Sequence, residues 1–290
     1  MSGGTAPAPF GPAWSASLRR GTDAELRGWV ETALGWCDET DVIALGSFRR
    51  DVAVERKPDT TFVTEADRGI ERLLRDRITT AFEGHGVVGE EYGTDTPGAS
   101  VRWILDPIDG THNYIRGIPL FGTLIGIERD SELQAGVISS PALGERWYGW
   151  RGGGAWVTGA LRPGGPRRIA TSRIAAISDA QIVFASATDL ERSGQAPGFR
   201  ALLGEAWRER AFGDFWGYTL VAEGSAEAMI EAELKIWDAA APTLLVEEAG
   251  GRVTDFDGRR AVDPGTIVAT NGHLHDVVLA TLRGRGETPP

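Results

Sequence analysis

A single cysteine, Cys37, stands among 290 residues, which excludes an internal disulfide and leaves the fold to rely on an apolar core. Hydrophobic residues make up 41% of the chain, enough for one large domain or two packed halves. Cys37 sits with Leu34, Trp36 and Val42 in a helical-looking stretch and reads as a small core or surface thiol rather than a nucleophile. Histidine is scarce too, with four residues and none at zinc-ligand spacing. His273 and His275 read as surface or packing residues. No run approaches the roughly 20 apolar residues that span a bilayer, and the opening segment lacks a basic region followed by an apolar one, so the expected location is the cytoplasm. Positive charge is in deficit: 30 Lys and Arg against 41 Asp and Glu give a formal net charge of −11. Nothing general then draws the chain to nucleic acid or an anionic membrane. An anionic ligand would need a local remedy such as bound metal.

What is present is a mixture of helical and strand-like patterns. Residues 1–22 are rich in Gly, Ala, Pro and Ser and read as a mobile tail, with 285–290 as a second one. Helical spacing runs from Ala24 to Phe48 and again through Ile70, Leu73, Leu74 and Ile78. Strand-like runs follow at Thr61 to Thr64, Gly86 to Val88, Val101 to Leu105, Phe121 to Ile127 and Gln134 to Ile138. The glycine-rich stretch Arg151 to Pro166 predicts a loop and a seam, dividing a single domain at 23–284 into halves of about 23–155 and 166–284. Beyond it, Gln181 to Ser186 and Ala228 to Glu231 read as strands. Gly198 to Arg210, Trp216 to Ala222, Trp237 to Ala249 and Gly272 to Leu282 read as helices. The predicted class is α/β (α+β), with layered helices and sheets.

Four acidic segments stand at the ends of apolar runs: VTEAD at 63–67, GEE at 89–91, WILDPIDGT at 103–111 and IWDAA at 236–240. A lone Asp-Gly is usually a turn, and a pair such as Glu90-Glu91 is usually a solvated edge. The third segment is harder to dismiss. Trp103, Ile104 and Leu105 read as a buried strand delivering Asp106 to its end, where Pro107 fixes the backbone and Gly110 relieves the next turn. Asp106, Asp109 and the carbonyl of Ile108 can then converge on one point. An all-oxygen site of this kind suits a hard divalent cation, magnesium above all, which offsets the mutual repulsion of gathered carboxylates. Gly110, Thr111, His112 and Asn113 can open a short helix whose free N–H groups cradle a phosphate.

These residues carry a family resemblance. Trp103 to Tyr114, Trp237-Asp238-Ala239-Ala240-Ala241-Pro242, and Glu248 to Gly251 resemble the signatures of the inositol-monophosphatase superfamily, with Lys57, Asp67 and Glu90 also in register. Within it the chain is most similar to the bacterial histidinol-phosphate phosphatases. Arg116 to Pro119, Thr123 to Ile125, Ser140 to Leu143, Arg210 to Phe215 and Ala269 to Gly272 carry that likeness. His112 departs from the Lys or Thr often found there.

The resemblance implies a layered α-β-α-β-α sandwich, a homodimer, and two or three Mg²⁺ ions per subunit acting on a small phosphate monoester. It places Glu90, Asp106 and the Ile108 carbonyl on the first ion, Asp106, Asp109 and Asp238 on the second, and Glu90 on a third. Asp67 and Thr111 would orient and deprotonate the attacking water, with Glu90 counted among the catalytic residues. Asp109 and the backbone of Gly110 and Thr111 would hold the phosphate, and Arg210 and Glu231 the rest of the substrate. The Asp-x-Asp spacing of an aspartyl-phosphate enzyme is missing, so no covalent phosphoenzyme is expected. Glu231 would favour a substrate carrying an amine, such as histidinol phosphate. An inositol or other polyol phosphate, and a non-catalytic ligand-binding member of the fold, are the alternatives.

Overall fold

In the computed structural model, which describes residues 21–50, 54–56, 62–160, 162–260, 263 and 265–284, the first two amphipathic stretches form helices α1 (Asp23–Ser47) and α2 (Glu65–Ala81). Residues 1–20 and 285–290 of the expected tails, with Thr61 and Lys57, lie outside the described residues. Both helices start on a threonine cap. Thr22 Oγ1 accepts the Glu25 N–H. The Thr64 hydroxyl accepts from the first turn of α2 while the Asp67 carboxylate takes the Thr64 N–H at 2.8 Å, a reciprocal box that satisfies otherwise orphaned donors.

Strands β1 (Val54–Arg56) and β2 (Phe62–Thr64) form a small antiparallel pair. A larger sheet takes β3 (Gly86–Gly89), β4 (Gly93–Asp95) and β5 (Val101–Asp109), then, after the short helix α3 (Thr111–Ile115), β6 (Gly122–Arg129), β7 (Glu132–Ser140), β8 (Glu145–Trp150), β9 (Gly154–Gly159) and β10 (Arg167–Ile169). Its order is β10-β9-β8-β7-β6-β5-β3-β4, antiparallel except at β3–β5. The rest of the chain runs β11 (Gln181–Phe184), α4 (Ala187–Arg192), α5 (Ala196–Glu205), β12 (Arg208–Arg210), α6 (Asp214–Ala222), β13 (Ala228–Ala232), α7 (Ile236–Glu248), β14 (Arg252–Thr254), β15 (Thr266–Thr270) and α8 (His275–Leu282). Its five strands order as β12-β11-β13-β15-β14.

Strands that are apolar at every position are buried on both faces. On β5, Trp103 and Leu105 face the cluster built by α1 and α2, whereas Ile104 meets Ala240 and Leu244 of α7. On β13, Met229 joins the α6–α7 side while Ala228 and Ile230 pack with Phe199 of α5 and Val278 of α8. The period of two thus stacks five layers: α1 and α2, the large sheet, α6 and α7, the small sheet, then α4, α5 and α8. Helix α7 lies very close to β6, where a Cβ on Gly126 would fall 2.5 Å from that of Ala240.

Three expectations are corrected. The glycine-rich stretch 151–166 is not all loop, because it contains β9, and β10 extends the same sheet to Ile169. Gly159 serves close backbone approach, a Cβ there lying 2.4 Å from the Gly144 carbonyl, whereas Gly152, Gly154, Gly164 and Gly165 take positive φ. The helix expected to reach Arg210 stops at Glu205, and Arg208–Arg210 pairs in parallel with β11. The last helix begins at His275 rather than Gly272, whose φ of +89° is not helical. Cys37 and His275 are buried, and His273 is exposed.

Candidate active site

An i, i+3 pair on a regular strand would point to opposite faces. Strand β5 avoids this with an irregularity: its register against β6 shifts between Asp106 and Asp109, around Pro107 and Ile108. Thr123 Oγ1 donates to the Pro107 carbonyl at 2.8 Å and so holds the bulge. Gly110 then takes φ +78° and caps α3, a conformation a side chain would strain, and a Cβ there would also sit 2.8 Å from the Leu120 carbonyl. Both carboxylates therefore leave the strand toward the first turn of α7, which supplies Asp238. One oxygen from each of Asp106, Asp109 and Asp238 lies within 4.8 Å of the others.

The remaining polar groups frame this triad. Asp238 Oδ2 accepts the Lys235 N–H at 2.7 Å, which fixes its direction. Asp109 Oδ2 accepts the Phe215 N–H at 2.7 Å. Thr111 Oγ1 donates to the Ile108 carbonyl at 2.9 Å. Of the sequence-predicted residues, Glu90, Asp106, Ile108, Asp109, Gly110, Thr111, Glu231 and Asp238 line one cleft of about 490 Å³. Asp67 does not line it, but is near enough to raise the pKa of Asp106. Arg210 is not brought there: it is exposed on β12, where its guanidinium donates to the Glu209 carbonyl. Glu231 is half-buried and its Oε2 accepts the Tyr218 hydroxyl at 2.6 Å.

Electrostatically the cleft is unbalanced. Burial pushes the Asp106 carboxyl well above the ordinary carboxylate range, and Glu90, Asp109 and Asp238 push it further. Asp109 is raised by burial and by Asp214 and Asp238, against the opposing Phe215 N–H. Burial raises Asp67 to about 6 despite its bonds from Thr64. Asp67 Oδ1 and Asp106 Oδ1 are buried with no hydrogen-bond donor. Unsatisfied carboxylate oxygens in a cluster of like charge are what a hard divalent cation would satisfy, so the residues fit a metal of that class.

Two acidic residues in this region escaped the sequence reading. Asp214 lines the cleft with φ +54° and accepts from Asn113 Nδ2 at 2.9 Å. It lies inside the Arg210 to Phe215 segment that carries part of the likeness, but was given no role there, because a Gly-Asp pair by itself reads as an ordinary turn. Asp189, at the start of α4, also lines the cleft.

A sequence model described as the inositol monophosphatase family matches residues 26–287. The chain is similar to the histidinol-phosphatase of Streptomyces coelicolor, with 41% identity over 253 residues that cover 86% of this chain and 94% of that protein. To the histidinol-phosphatase of Mycobacterium tuberculosis the identity is 42%, covering 86% and 96%. Among solved structures, an IMPase of Thermotoga maritima superposes with a TM-score of 0.79 at 26% identity, covering 90% of this chain and 98% of that one. With its buried acidic triad on the bulged end of β5 and the start of α7, this phosphate monoester hydrolase belongs to the inositol monophosphatase family.

Proposed function

We propose that the chain hydrolyses histidinol phosphate to histidinol and phosphate, a step of histidine biosynthesis, using Mg²⁺. The observation that carries the substrate assignment is acidity in the cleft beyond the triad. Asp106, Asp109 and Asp238 gather at one point, and the lining also includes Glu231, Asp214 and Asp189. A phosphate monoester suits the first set only with metal present, and a substrate amine suits the second. The similarity to two histidinol-phosphatases supports the same reading.

Glu90, Asp106, Asp109, Asp238 and the Ile108 carbonyl would hold two or three Mg²⁺ ions. When bound, these lower the pKa of water and neutralise charge on the phosphoryl and leaving oxygens during in-line displacement. The Thr111 hydroxyl gives its hydrogen to Ile108, which leaves its lone pairs to accept from the attacking water. Asp67, outside the cleft lining but near enough to act on Asp106 and with an unsatisfied oxygen, would be the proton acceptor. The backbone N–H groups of Gly110 and Thr111 would hold the phosphate. The leaving alkoxide takes a proton from solvent water as the P–O bond breaks, the proton held by Asp67 returns to solvent, and no phosphoenzyme forms. The proposed setting is the cytoplasm, as a homodimer; among the described residues no helix is long and apolar enough to cross a membrane.

The test compares kcat/KM for histidinol phosphate, inositol 1-phosphate, nucleoside monophosphates and fructose 1,6-bisphosphate, with Mg²⁺ and with EDTA. Histidinol phosphate should lead, and EDTA should abolish phosphate release. Glu231→Gln should cost histidinol phosphate about ten- to 150-fold, the loss of one charge-assisted hydrogen bond, and the polyol phosphate much less. Equal losses on both would end the charge-recognition idea.

A further inference from the structure

Behind the cleft, on α2, the Glu71 side chain is 0% exposed. A carboxylate so buried persists only where hydrogen bonds and a partner charge compensate it. Glu71 Oε2 accepts the Glu91 N–H at 2.7 Å, and Oε1 accepts the Tyr92 N–H at 3.1 Å and Arg75 Nε at 2.8 Å. Arg75 continues to Asp95 Oδ2 at 2.9 Å and to the Gly93 carbonyl, and Asp95 Oδ1 accepts the Val87 N–H at 2.8 Å. The turn between β3 and β4 is thus fastened along its whole length.

Glu90 lies inside that turn. Its own N–H donates to the Leu105 carbonyl at 3.3 Å, one residue before Asp106. On the other side, a Cβ at Gly89 would fall 2.1 Å from Glu71 Oε1, so the strand and the buried carboxylate can approach this closely only with glycine there. The backbone of 89–92 is therefore suspended between β5, which carries Asp106, and Glu71.

We infer that Glu71 is a positioning residue for metal binding: by accepting two consecutive backbone N–H groups it aims the Glu90 carboxylate at Asp106. The inference rests on the reading of Glu90 as a metal ligand. Arg75 already has Asp95 and Gly93 as partners, whereas the Glu91 and Tyr92 N–H groups have Glu71. In Glu71→Gln the amide oxygen stays with Arg75 and Tyr92, so the amide nitrogen confronts the Glu91 N–H, donor against donor, next to Glu90.

The test measures Mn²⁺ binding by the EPR signal of the free ion, with Tm and far-UV circular dichroism establishing that each variant is folded. Glu71→Gln and Glu90→Gln should each weaken binding by about ten- to a hundredfold, the usual effect of disturbing a ligand or its support. The double variant should bind no more weakly than Glu90→Gln alone, because both changes act through one carboxylate. Gly89→Ala, which displaces the Glu71 carboxylate without removing it, should weaken binding in the same way. A folded Glu71→Gln with a lowered Tm and unaltered Mn²⁺ affinity, beside a weakened Glu90→Gln, overturns the inference alone. Unaltered affinity in Glu90→Gln overturns the ligand reading, and the inference with it. Additive losses in the double variant assign Glu71 to a separate effect and also overturn it.

Discussion

Replacing Asp106 by Asn separates what the acidic cluster costs the fold from what it does for catalysis. The oxygens of Asp106, Asp109 and Asp238 lie within 4.8 Å of one another, so each fully ionised pair repels by about 3.5 kcal/mol at an effective dielectric near 20. Without metal the protein sheds part of that repulsion by protonation, the direction in which burial and the neighbouring charges displace Asp106 and Asp109. The isosteric Asn removes both pairs involving Asp106, and its amide can donate to a neighbouring carboxylate. In EDTA the variant should therefore be more stable than wild type by about 1–3 kcal/mol, a rise in Tm of roughly 2–10 °C for a chain of this size. Millimolar Mg²⁺ should reverse the order, raising the Tm of wild type and leaving the variant nearly unmoved. Activity should fall more than about a hundredfold, since loss of even one group stabilising transition-state charge has that effect. Calorimetry with and without Mg²⁺, beside phosphate release, measures all three. A lower Tm than wild type in EDTA, a full Mg²⁺ response, or activity within about tenfold of wild type would refute the reasoning.

Thr111→Ala should lower kcat with little change in KM if, as proposed, its hydroxyl acts on the water rather than on bound substrate; a defect confined to KM contradicts that role. His275, buried between the Thr254 and Thr270 hydroxyls, ionises in the fold only near about 4 instead of 6.5, chiefly through burial. The unfolded chain then binds more protons than the folded one between those values. This contribution to stability is complete above pH 6.5 and is lost as pH falls toward 4, by up to about 1.4 kcal/mol per unit. In His275→Asn the acid slope of Tm should flatten, and an unchanged slope rejects the assignment. Gly126→Val places methyl groups where even a Cβ would lie 2.5 Å from that of Ala240, so α7 must retreat from β6 at a cost of about 1–3 kcal/mol. Because α7 carries Asp238, Mg²⁺ stabilisation should shrink with Tm; an intact Mg²⁺ response would show that Asp238 tolerates the shift.

Residues 103–111 spelled out much of the site by themselves, because what they need is local. An apolar strand, a proline, and a glycine at φ +78° turn two carboxylates the same way within a few residues. The amphipathic periods of α1 and α2 were legible for the same reason. Other features were hidden because their cause lies far along the chain. The glycines of β9 looked like loop until the neighbouring β8 explained why Gly159 has no side chain. Arg210 looked like the end of a helix and is instead an edge-strand residue outside the cleft. Glu71 carried no motif, and Asp214 lay in a family-like segment without an assigned role, since their significance is contact with the N–H groups of Glu91 and Tyr92 in one case and with Asn113 in the other. A short segment can determine its own turn and the direction of its own side chains. Which distant carboxylate completes the cluster was decided by the packing of α7 on Gly126, since charges attract a shared cation only when the fold has already brought them within a few ångströms.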